Sequence, residues 1–159
     1  MPLTTASSRQ IQTESAYFHP QPTAPTPFEK AIGKFPSDPD FKECNSDATC
    51  KVSWALAIYQ SSNVHIVGAG LYSWFFDNYN QDCIEKRTCQ KRILWIDDAT
   101  SGLYMYNLFT VGVEEMFSMP GGKAVLAKDN VMLADKKPFP SILATVVKVS
   151  AFQPTAESM

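Results

Sequence analysis

The sequence predicts an all-β chain, and three observations carry that reading. Short runs rich in β-branched and aromatic residues recur along its second half, separated by turn-forming residues with no helical period between them. Prolines, among them Pro20, Pro22, Pro25, Pro27, Pro36 and Pro39, crowd the earlier part and exclude a central strand or long helix there. A faint internal repeat aligns Asn63-Val64-His65-Ile66 with Gly102-Leu103-Tyr104-Met105 further on. Stacked repeats of this kind favour a parallel β-helix, with a β-sandwich as the alternative.

Four segments follow from the composition. Residues 1–10 are polar and aperiodic and read as a disordered or atypical N-terminus. Residues 11–51 form a proline-rich extended segment pinned by aromatic rings. Residues 52–152 carry the strands, and 153–159 are a polar tail. Within 52–152 the apolar run ending at Ile58 precedes a turn at Ser61-Ser62-Asn63. Val64-His65-Ile66-Val67 then runs to Gly68-Ala69-Gly70, which lacks a following helix and reads as a turn between strands, not a dinucleotide loop. Further runs are Leu71 onward, Ile93-Leu94-Trp95-Ile96, Leu103 onward and Ala124-Val125-Leu126. If each repeat is one coil, Val64 and Ile66, then Leu103 and Met105, point inward and His65 points to solvent.

Charge and length exclude several classes. Fourteen basic and sixteen acidic residues leave a net charge of −2, with no basic field for phosphates, so no nucleic-acid partner is expected. No apolar stretch is long enough for a membrane helix. The first ten residues lack the apolar core of a secretory signal, so either the protein is not secreted or a signal lies upstream.

The four cysteines form two equally spaced pairs, Cys44 with Cys50 and Cys83 with Cys89, each enclosing five polar-rich residues. Two small disulfide loops are the natural reading and imply an oxidising compartment. Free thiols and a four-thiolate zinc site are the alternatives, although zinc sites favour shorter spacings within each ligand pair. The three possible connectivities stay open at this level.

Three stretches resemble the C-terminal end of glycoside hydrolase family 55, the fungal-type exo-acting β-1,3-glucanases. They are Ile11-Gln12-Thr13-Glu14-Ser15-Ala16-Tyr17-Phe18-His19-Pro20, Val67-Gly68-Ala69-Gly70-Leu71-Tyr72-Ser73-Trp74-Phe75-Phe76-Asp77-Asn78-Tyr79 with the Cys83 to Cys89 loop, and Leu103-Tyr104-Met105-Tyr106-Asn107-Leu108-Phe109-Thr110-Val111-Gly112. The resemblance implies a right-handed parallel β-helix of the pectate-lyase-like solenoid type, of which this chain would supply C-terminal coils only. It implies a secreted, extracellular enzyme that releases glucose from the ends of β-1,3-glucans such as laminarin, with inversion. The implied partner is that laminarin-like polysaccharide, with neither nucleic acid nor membrane involved. No cofactor is implied, because carboxyl-based glycoside hydrolysis needs none. In the family an apolar strand precedes the Ile-Gln-Thr-Glu motif, and residues 1–9 here lack strand character. The alternative is an inactive β-helix remnant that at most binds glucan.

Glu14 matches the family's general acid. Such an acid must hold its proton, which desolvation favours, and must face a second group that activates water. Ile11, Tyr17 and Phe18 are candidate apolar cover. Without the resemblance, Glu14 reads as a solvated surface charge. Tyr17 and Trp74 are candidate sugar contacts, Trp74 through its apolar ring face, and both have packed aromatics as their bland reading. Trp54 and Trp95 read as core, Asp97 and Asp98 as a turn, and the two isolated histidines form no metal site.

Overall fold

The computed structural model describes residues 6–14, 26–34, 39–76, 81–131 and 141–148. Its strands in chain order are β1 (Ala6–Glu14), β2 (Leu56–Ile58), β3 (Ser62–Tyr72), β4 (Gln90–Arg92), β5 (Leu94–Ile96), β6 (Ser101–Val111), β7 (Val113–Met119), β8 (Lys123–Leu126) and β9 (Ser141–Lys148). Among the described residues one short α-helix, α1 (Asp82–Lys86), and four 3-10 turns, Thr26–Ala31, Lys42–Cys44, Pro120–Gly122 and Ala127–Asn130, lie between them. The all-β expectation fits this content. The first strand covers part of the N-terminal segment read as atypical. Ala6 and the polar Ser7, Ser8 and Arg9 are drawn into it by pairing with Val64 to Val67 of β3.

Two sheets result. One has the order β1-β3-β6-β9. The other has the order β2-β5-β7-β4, with β8 paired to β7. The sequence repeat appears as register: Val64 lies beside Leu103, His65 beside Tyr104 and Ile66 beside Met105. The expected right-handed parallel β-helix is not what these strands build. Both sheets are mixed, and no solenoid closes among the described residues. The chain reverses at 120–122, so β8 runs antiparallel along β7, and β9 returns antiparallel along β6. Period-2 patterning specifies an inner and an outer face equally in parallel and antiparallel pairs.

The inner faces of the two sheets share one core. Val64, Ile66, Ala69 and Leu71 of β3 meet Leu103, Met105 and Leu108 of β6, with Leu94 and Ile96 of β5 and Met116 of β7. Leu71, Leu103, Met105, Leu108 and Met116 are fully buried, each contributing roughly 1.5–3 kcal/mol of transfer free energy. The inward positions do not alternate strictly. Val64, Ile66, Ala69 and Leu71 shift phase after Ile66, and Leu103, Met105, Leu108 and Thr110 shift at the equivalent point. The cause is a row of left-handed residues across three strands: Gln10 (φ 53), Gly68 (φ 77) and Asn107 (φ 57). Each bends its strand and resets which face the next side chain takes. The Gly68-Ala69-Gly70 turn expected between strands is this bend inside β3.

A second cluster, Phe41, Cys44, Cys50 and Trp54, lies apart from the main core. Trp54 and Trp95 stack at 5.3 Å and 8°; Trp54 packs against this second cluster, as a core residue does, whereas Trp95, also expected in the core, belongs to neither cluster. Trp95 alternates with buried Leu94 and Ile96 and therefore leaves β5 on its outer face. The buried Arg92 guanidinium sits 5.2 Å from both rings, pairs with Glu43 and lies 3.4 Å from Cys44 Sγ. Asp97 forms the expected turn. Its carboxylate accepts from Thr100 N at 2.8 Å and from Gln60 N at 2.9 Å.

Candidate functional site

The phase reset sends one set of β1, β3 and β6 side chains outward in register. Gln12, Gly70 and Phe109 form one row, and Glu14, Tyr72 and Val111 the next. Gly70 decides the shape of this face. A Cβ there would lie 2.4 Å from the Tyr72 hydroxyl oxygen, so the Tyr72 ring leans back over the bare glycine. The ring meets Phe109 edge-on at 6.2 Å and 90°, and Trp74 at 5.5 Å and 38°. A groove of about 240 Å³ lies along these residues, lined by Tyr72, Phe109 and Gly70 and by the amide side chains Gln10, Gln12 and Asn107.

Glu14 is exposed and stands opposite Tyr72, just beyond the groove lining. Trp74 is half-buried against Tyr72, so Glu14 and Trp74 are brought to the same end of the groove. Tyr17 lies outside the described residues, as does Phe18. Ile11 is not cover for Glu14. It packs against the core, whereas Glu14 leaves the opposite face of the same strand. None of the groove-lining residues is a carboxylate, so a water-activating partner for Glu14 is not among them. His65 is exposed on the same sheet, as its alternation predicted.

The residues that sequence reasoning missed are Tyr72, Phe109, Gln12 and Asn107. Counting outward positions from Gly70 reaches Tyr72 and, through the repeat, Phe109. The sequence did not reveal where the phase resets. Chemically, the groove offers aromatic surface for apolar C–H patches and three amides that both donate to and accept from hydroxyls. No group of three or more metal-ligating side chains occurs among the described residues.

Both cysteine loops are closed: Cys44 is bonded to Cys50 and Cys83 to Cys89. The first loop is fixed to β4 through Lys91 N donating to Thr49 O at 2.8 Å and a Lys91–Asp47 ion pair at 3.5 Å. The second holds the turn before Gln90, whose amide donates to Ser53 O at 2.9 Å and Arg92 O at 2.7 Å.

No family model matches the chain. The chain is 38% identical over 120 residues to a protein of Arthroderma benhamiae named probable glucan endo-1,3-beta-glucosidase, covering 76% of this chain and 13% of that protein. It is 39% identical over 127 residues to the glucan 1,3-beta-glucosidase of Cochliobolus carbonum, covering 76% of this chain and 15% of that one. A protein of Penicillium expansum named non-secreted LysM effector LysM15 is similar at 40% over 122 residues, covering 76% of this chain and 7% of its own length. The chain thus spans 15% or less of each of these relatives.

Proposed function

We propose that this chain acts in β-1,3-glucan hydrolysis, as the groove-bearing part of a glycoside hydrolase of family 55. The observation that carries the reading is the Tyr72–Phe109–Trp74 corner with its row of amides, set beside Glu14. The similarity to one relative named probable glucan endo-1,3-beta-glucosidase and another named glucan 1,3-beta-glucosidase points to the same polymer. A glucosyl ring lies with its C–H face on the aromatic corner, and Gln12 and Asn107 meet its hydroxyls. Glu14 donates a proton to the leaving glycosidic oxygen, and a second group outside the groove lining activates water for inversion. Glucose leaves from the chain end. The two disulfides suit an oxidising, extracellular setting, although one relative carries the label non-secreted.

A second reading is binding of glucan without hydrolysis, favoured by the lack of a carboxylate in the groove lining. Glucose release from laminarin by the chain and by Glu14→Gln separates the two. The enzymatic reading predicts release by the wild type and a loss of at least about 100-fold in the variant. Equal release by both removes Glu14 from the chemistry.

A further inference from the structure

The groove occupies only part of the outer face of β3 and β6. On the other side of the Gly68–Asn107 bend lie His65, Val67, Tyr104 and Tyr106, again in register across the two strands. Val67 is 44% exposed and Tyr106 is 42% exposed. They are the large apolar residues left in solvent among the described side chains, and they are direct cross-strand neighbours. Beside them the His65 and Tyr104 rings stack at 5.0 Å and 13°. Parallel rings on adjacent strands brace one another and form a ridge along the apolar pair.

The charge of this face is its second distinguishing feature. β3 and β6 have eleven residues each, and not one of the twenty-two is Asp, Glu, Lys or Arg. Fourteen of the twenty-two are not buried, and at the chain's 19% charged composition these would carry about three such residues. Across these two strands the surface offers aromatic rings, amides and hydroxyls, and it is flanked on β1 by the exposed Arg9, in register beside Val67, whose guanidinium also donates to hydroxyls. It matches an uncharged polyhydroxylated polymer, whose sugar rings present C–H faces and hydroxyl edges. The surface is also continuous with the groove. From His65 to Tyr72 the strand runs about 23 Å, longer than a single sugar ring requires.

We propose that His65, Val67, Tyr104 and Tyr106 form a platform on which a β-glucan chain continues out of the groove, so that the polymer is gripped over several rings while chemistry occurs at one. This rests on the glucan reading of the groove. The platform enlarges affinity for polymer without touching the reacting bond, so its variants separate the two readings.

The test compares laminarin with laminaribiose, using wild-type chain, the platform variants Tyr106→Ser and Val67→Ser, and the groove variant Tyr72→Ala. Binding is measured by calorimetry, and association state by sedimentation. Both platform residues are exposed and off the core, so their variants retain the fold, as circular dichroism will check. The platform predicts laminarin binding weakened about three- to tenfold in each platform variant, with laminaribiose affinity unchanged, whereas Tyr72→Ala weakens both ligands. Unchanged laminarin affinity in both platform variants overturns the platform and leaves the groove standing. A folded wild type that binds neither ligand overturns the groove and platform together. Self-association that Tyr106→Ser abolishes while laminarin affinity stays constant assigns the surface to a second copy of the chain and also overturns the proposal.

Discussion

Gly112 lies where β6 passes into β7, and its replacement by alanine is the most demanding single-atom test of the packing between neighbouring strands. Its φ is +73°, a region in which an L side chain costs roughly 1–2 kcal/mol. A Cβ would also lie 1.9 Å from the carbonyl oxygen of Ser73 and 3.0 Å from its carbonyl carbon. These are backbone atoms, so no side-chain rotation relieves the overlap. The hydrogen bonds that converge there must stretch or break: Ser73 N donates to Val111 O at 3.0 Å, and Cys89 N donates to Gly112 O at 3.0 Å. Losing one or two of them adds about 0.5–3 kcal/mol. Gly68 supplies the control. Its φ is +77°, but the nearest atom to a Cβ would be Gln10 Cα at 3.7 Å, an ordinary contact. Gly68→Ala should therefore cost only the conformational part, about 1–2 kcal/mol, and Gly112→Ala about 1.5–5 kcal/mol. Urea unfolding at constant slope reads the difference directly. Equal losses, within about 0.5 kcal/mol, would refute the reasoning, because the two substitutions differ chiefly in the overlap with Ser73.

Two pH dependences follow from the loop around Trp54 and the first disulfide. Burial raises the Tyr59 phenol to about 12, with the Asp97 carboxylate adding to the effect and Arg92 opposing it. A raised pKa means that Tyr59 contributes stability fully present below pH ~10 and lost as pH rises from there through about 12. Tyr59→Phe should unfold with a flatter alkaline decline in urea midpoint, and an unchanged slope between pH 9 and 11.5 would contradict this. Burial pushes the Asp47 carboxyl up, but hydrogen bonds from Thr49 and Cys50 and the charge of Lys91 outweigh it and hold the pKa below its ordinary value. Its contribution is present above the ordinary carboxylate range and disappears as pH falls through the lowered value. Asp47→Asn should remove that component from an acid titration of stability, and identical acid profiles would count against it.

Much of the core was legible from pattern alone. Val64, Ile66, Leu103 and Met105 face inward, and the repeat that aligns them in sequence aligns them in space. His65 faces outward for the same reason. Other features depend on contacts that no local pattern encodes. The left-handed row is occupied by Gln10, Gly68 and Asn107. Three residue types share one backbone state, so the phase reset that creates the groove is hidden, and Tyr72 and Phe109 with it. Trp95 sits in an apolar run that reads as core, yet a covering loop and buried Arg92 shelter it, stacked on Trp54, on the outside of the second sheet. Strand direction at the ends of both sheets was equally invisible, since alternation is indifferent to it, and β8 and β9 run against the parallel stack that the repeat suggested. Ala6 to Arg9 are too polar to announce a strand, and their partner β3 supplies the apolar side of the pairing.

The most direct measurement follows laminarin binding and glucose release in the same samples, for the folded wild type and for Glu14→Gln. The account predicts that both proteins bind laminarin alike through the Tyr72–Phe109 groove, that the wild type releases glucose and that the variant does not. Glucose release unaffected by Glu14→Gln, or a folded wild type that fails to bind laminarin at all, would contradict it.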